Sequence, residues 1–85
     1  MVAKDLRLYL TRLELLSDLR KINCPVRWHA YEYLVLCKDF ICVILLEPWK
    51  DAASIYFRGN DRKVEDIKKL LLKYNINRIL INKIE

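Results

Sequence analysis

An α+β domain is the fold class this sequence predicts: a helix, a three-strand meander, a second helix and a closing strand, with helices flanking a mixed sheet. Three observations predict it. Residues 3–22 carry leucines at three- and four-residue spacing. Val26 to Phe57 is dense in Val, Ile, Tyr, Trp and Phe, which favour strands. A second helical pattern then leads into a short apolar run. With one glycine and two prolines in 85 residues there is little room for a linker, so residues 1–85 read as one domain.

In the first helix Leu6, Tyr9, Leu10, Leu13, Leu16 and Leu19 form the expected apolar stripe, with Asp5, Arg12, Asp18 and Lys21 outside it. "NCP" ends it, because Asn suits a helix end and Pro25 disfavours helical geometry in Cys24. "VRWHAYEYLVLC" follows as one long strand or two short ones with a bend near Ala30. "KD" is a hairpin-like turn. "FICVILLE" is an apolar run with little alternation, the pattern of a central strand covered on both faces. "PWKD" interrupts the pairing, and "AASIYFR" is the third strand of the meander. "GND" then turns the chain, with an Asn or Asp side chain capping a helix over about residues 62–74. Val64, Ile67, Leu71 and Tyr74 are its buried stripe. Glu65 and Asp66 near its start and Lys73 near its end suit the helix dipole. "NRILINKI" closes the chain as a strand.

Sixteen basic residues against eleven acidic give a net charge of +5, which favours a polyanionic partner without demanding one. The cations thicken toward the C-terminus, where Arg62, Lys63, Lys69, Lys73 and Arg78 are the candidate nucleic-acid contacts. Cys24, Cys37 and Cys42 have neither CxxC nor Cys/His spacing. The expectation is three buried thiols in a reducing compartment, with no disulfide framework and no metal site. "MVAKDLRLYL" lacks an apolar signal core, and the run Phe40–Leu46 is too short to cross a membrane. A cytoplasmic location without membrane contact is expected. No phosphate-binding loop, Ser/His/Asp pattern or cofactor motif is present, so no cofactor is expected.

The order helix–strand–strand–strand–helix–strand resembles the core of the restriction-endonuclease-like nucleases, which include Holliday-junction resolvases. A related core forms the C-terminal domain of the tRNA-splicing endonucleases. Aligned to the resolvase pattern, Glu32 and Glu47 occupy the acidic positions, but Trp49 stands where a lysine is expected and Lys50 falls one residue late. On a strand that offset changes the face, and Pro48 interrupts the motif. The splicing-endonuclease likeness is closer. "WHAYEYLVLC" looks like their segment of His-Ala or His-Ser, an aromatic and an apolar strand, and "VEDIKKLLLKYNINRILINKI" is similar to their last helix and strand.

That family cleaves RNA without metal, using a Tyr, a His and a Lys. Carried onto this chain, the set is incomplete. His29 is the one catalytic candidate, and it stands a residue further from Tyr33 than the family spacing. Asn23–Trp28 is too short for the strand and loop that present the tyrosine. Asn77 and Arg78 occupy the junction where the lysine belongs, and arginine is a poor substitute. The family's usual N-terminal domain would be absent too. The resemblance therefore implies a non-catalytic structural subunit, a hetero-oligomer with a catalytic endonuclease subunit that meets precursor tRNA through the assembly. Its partner-binding candidates are Glu47, Trp49 and Asp51, as an acidic loop with an aromatic anchor, and Ile79 and Ile81 on the last strand. The alternatives are a small basic DNA-binding protein or nuclease of resolvase-like fold, and a homodimeric interaction protein.

Overall fold

The computed structural model describes residues 4–59 and 61–84. Its elements are α1 (Tyr9–Arg20), β1 (Val26–His29), β2 (Glu32–Leu36), β3 (Phe40–Glu47), a 3₁₀ turn Pro48–Lys50, β4 (Ala52–Gly59), α2 (Asp61–Leu72) and β5 (Arg78–Lys83). The five strands lie in chain order in one sheet. β1 to β4 are antiparallel neighbours, and β5 returns across α2 to pair parallel with β4. The meander therefore has four strands where the sequence suggests three. The extra one comes from "VRWHAYEYLVLC", which is two strands folded on each other. Ala30, with φ of 53°, supplies the left-handed turn between them.

α1 is shorter than residues 3–22 suggest. Before it, the Asp5 carboxylate accepts the Arg7 amide, and the Arg12 guanidinium donates to the carbonyls of Leu6 and Arg7 at 3.0 and 2.8 Å. Those contacts hold a turn that seats Leu6 in the core. The buried face of α1 is Leu15, Leu16 and Leu19, while Tyr9, Leu10 and Leu13 are exposed. Of the stripe expected from the sequence, Leu6, Leu16 and Leu19 are buried, while Leu15 is buried in place of Tyr9, Leu10 and Leu13. α2 is as expected: Val64, Ile67, Leu71 and Tyr74 are all buried. Asn23 and Asn75, at φ of 68° and 64°, stop the two helices in the left-handed geometry Asn tolerates. Of the two residues expected to cap α2, Asn60 lies outside the described residues and Asp61 is the first residue of the helix itself.

Every large buried strand residue is on one face of the sheet. Val26, Tyr33, Val35, Cys42, Ile44, Ile55 and Phe57 alternate with exposed or half-exposed neighbours and form one core cluster with the leucines of α1 and the stripe of α2. Tyr33 donates to the Arg12 carbonyl of α1 at 2.7 Å, and Tyr74 beyond α2 donates to Asp18 of α1. Both helices therefore cover the same face. The expected flanking of the sheet, and the coverage of "FICVILLE" on both sides, are corrected: β3 is central, but its outward residues Ile41, Val43 and Leu45 lie under no helix.

A second correction concerns cysteine. Cys24 and Cys37 form a disulfide, and Cys42 alone is a free, buried thiol. The β1–β2 register explains the pair. Val26 faces Val35, so one further cross-strand step brings residues 24 and 37 opposite each other at 5.0 Å between Cα atoms. Spacing alone conceals this, since it depends on a hairpin whose turn residue is an alanine. The disulfide removes the cysteine argument for a reducing compartment. Among the described residues no helix is long and apolar enough to cross a membrane.

Gly59 sits at φ of 111° across from Phe40, and a Cβ there would stand 2.1 Å from the Asp39 carbonyl oxygen. Gly59→Ala is expected to cost at least ~2 kcal/mol, read as a lower urea midpoint at unchanged slope. Reduction of Cys24–Cys37 is expected to remove roughly 2–3 kcal/mol by freeing the unfolded chain, read as a fall in melting temperature on adding a phosphine reductant. A thiol titration giving three free thiols before reduction contradicts the pairing.

Candidate functional site

His29 ends β1 at the edge of the sheet, facing away from both helices. It pairs in register with Glu32, and with Arg27 and Leu34 it borders a shallow depression of about 290 Å³ on the uncovered face. A metal-free RNA-cleaving site needs a tyrosine and a cation to converge with this ring. Tyr33 is adjacent in sequence to Glu32, but its side chain passes to the opposite side, where it is fully buried and bonded to Arg12. Burial raises its pKa above the ordinary phenol range, so it is a poor base. Tyr31 lies at the turn, 4.3 Å from the Arg12 guanidinium and edge-on to Trp49 at 5.4 Å. Asn77 and Arg78 belong to the far edge of the sheet, four strand spacings or about 19 Å away. The geometry brings His29 and Glu32 together and keeps the other two members of the set apart.

Glu32 and Glu47 do share the uncovered face. Glu32 pairs with Leu45, so Glu47 is its diagonal neighbour on β3, with Cβ atoms on the order of 7–8 Å apart. Lys50 reaches back from the 3₁₀ turn to Glu47 at 3.4 Å. Among the described residues no three His, Cys, Asp or Glu side chains gather as metal ligands.

The turn after β3 is the more organised feature. Pro48 is buried beneath it, Trp49 is 58% exposed, and Asp51 adopts a left-handed conformation at φ of 52°. The Asp51 carbonyl accepts the amides of Asn77 and Arg78, both at 3.0 Å. The acidic turn and the start of β5 are thereby one continuous edge, with a shallow groove between Glu47, Arg78 and Leu80. Ile79 and Ile81 point inward, in register with Ala53 and Ile55 and packed on the core. What β5 offers outward is its position as the edge strand of the described sheet and Leu80, which is 60% exposed and was not singled out by sequence. Its signal was available in the alternation of "RILINK".

The candidate nucleic-acid contacts divide between surfaces. Arg62, Lys69 and Lys73 are exposed on or just beyond α2, whereas Lys63 is partly covered and paired with Asp39 at 3.3 Å. Arg78 pairs with Ala52 on the uncovered face of the sheet, opposite the helices. Cys42 is no nucleophile: burial pushes its thiol up to about 12. No family model, curated protein or solved structure matches this chain.

Tyr74 donates a part-buried hydrogen bond to Asp18, which together with Lys21 holds the carboxylate below its ordinary range. Asp18 therefore stabilises the fold above its unfolded value of about 3.9, and that stability is lost as pH falls through the lower folded value. Tyr74→Phe is expected to cost ~1–3 kcal/mol near neutrality. It is also expected to flatten the loss of stability in acid, because Asp18 then differs less between folded and unfolded chains. Urea midpoints measured across the acid range check both.

Proposed function

We propose that the chain is a non-catalytic structural subunit of a heteromeric tRNA-splicing endonuclease, supporting assembly and the positioning of catalytic subunits on precursor tRNA. The observation that carries this reading is the shared edge formed by the acidic turn Glu47–Asp51 and the start of β5, locked by the Asp51 carbonyl. A loop with two carboxylates and an exposed tryptophan suits a basic groove on a partner, and a strand at the edge of its sheet suits strand addition. The wide separation of His29 from Arg78, and the burial of Tyr33, fit a chain that lends surface rather than chemistry. The succession of three antiparallel strands, helix and parallel strand also suits a restriction-endonuclease-like core. Here it carries β1 as an addition and both helices on one side.

One observation favours the resolvase-like alternative, namely Glu32 and Glu47 on one face with Lys50 beside Glu47. Mg²⁺-dependent cutting of branched DNA that disappears on Glu47→Gln would select it.

Under the subunit reading, the purified chain leaves precursor tRNA uncut, and His29→Ala changes nothing. Recovery from its native source brings down a catalytic endonuclease subunit, identified by mass, and Trp49→Ala lowers that recovery several-fold. Cleavage by the purified chain that His29→Ala abolishes would overturn the reading.

A further inference from the structure

The uncovered sheet face has a composition the proposed assembly role does not use. Ile41, Val43 and Leu45 from β3, Leu34 from β2 and Tyr56 from β4 form neighbouring positions in the register, Leu80 of β5 lies beyond them as the partner of Ser54, and among the described residues no helix lies over this face. Polar residues stand around this centre. Arg27, His29 and Glu32 lie on the β1–β2 side, Arg58 stands beside Ile41 at one end of the sheet, and Glu47 and Arg78 share the row at the other end. An apolar centre ringed by polar groups of both signs is the anatomy of a protein interface. The centre is mainly aliphatic, and Leu, Ile and Val lack the flat aromatic surface on which nucleic-acid bases stack. The occupant this favours is another protein.

We propose that the occupant is a second copy of this chain, packed face to face through the open sheet. Three considerations select a copy. The first is size: five strands of four to eight residues present a face of roughly 500 Å² in projection, and side-chain relief raises the area a partner would bury toward the ~800 Å² per partner of a stable complex. An extended peptide would cover a fraction of it. The second is shape, since two sheets pack aligned only when their twists agree, and a copy has the same twist by construction. The third is charge: a rim holding Glu32 and Glu47 with Arg27, Arg58 and Arg78 contains its own complement. The pattern of β3 points the same way. "FICVILLE" is apolar at outward as well as inward positions, as a strand covered on both faces would be, and one chain covers only the inward one.

This dimer is independent of the endonuclease role, which uses the turn and the β5 edge, and its test needs no partner protein. Sedimentation equilibrium of the full chain is expected to show a dimer with dissociation constant at or below about 10 μM. Ile41→Lys and Leu80→Lys, both at half-exposed or exposed positions outside the core, are expected to weaken it at least ten-fold each while leaving the circular dichroism spectrum unchanged. Leu10→Lys, on the 75% exposed side of α1, is expected to leave it intact. Hydrogen exchange separates face from edge, because a face-to-face dimer leaves the outward amides of β5 free to exchange whereas edge pairing protects them. A monomer up to about 100 μM, a dimer that survives both face variants, a dimer lost with Leu10→Lys, or protected outward β5 amides would each overturn the proposal.

Discussion

A five-stranded sheet has two faces, and this chain owns enough helix for one. Its two twelve-residue helices, each about 18 Å long, both pack into the one core on the inward side. Once α1 and α2 are committed to the same side, the rest of the architecture is constrained. The aromatic and β-branched residues of alternate strand positions must converge there, and Tyr33 and Tyr74 must find acceptors inside. They do so on α1, at the Arg12 carbonyl and the Asp18 carboxylate. α1 is therefore held by polar links as well as by leucines, which matters because its apolar residues alone do not fix its orientation.

The same constraint keeps His29, Tyr33 and Arg78 from converging. Groups on β1 and β5 stand at opposite edges of the sheet, and groups on adjacent residues of one strand stand on opposite faces. His29 and Arg78 are separated by the first rule, His29 and Tyr33 by both alternation and burial. What remains outward is surface: a turn with an exposed tryptophan, an edge strand, and an apolar plane.

Legibility in the sequence followed how much each element depends on its own residues. α2 could be read because its apolar stripe runs against a charged opposite side, so one phase alone makes sense. α1 could not, because leucines or tyrosine occupy nearly every phase between Leu6 and Leu19, and the choice is made by Arg12 and by what Tyr33 and Tyr74 require. The β1–β2 hairpin was hidden by Ala30, a residue with no preference for the conformation it adopts. The disulfide was hidden in turn, as its geometry is a product of that hairpin. Of the candidate site residues, Glu47, Trp49 and Asp51 were legible as an interruption between strong strands. The inward direction of Ile79 and Ile81 depends on the parallel register with β4, which local sequence does not carry.

The disagreement over β3 is the most informative of these. Its sequence has the composition of a strand buried on both sides, and the fold buries one. Local composition and tertiary structure conflict only while the chain is considered alone. Natural sequences are consistent across levels, and an outward row of Ile, Val and Leu on the central strand is inconsistent with permanent exposure to water. Cations cannot account for it, since they lie at its rim and beyond α2 rather than among its aliphatic side chains. A protein surface laid over that row restores agreement between the strand's composition and its surroundings, and it does so without asking any residue of the chain to move.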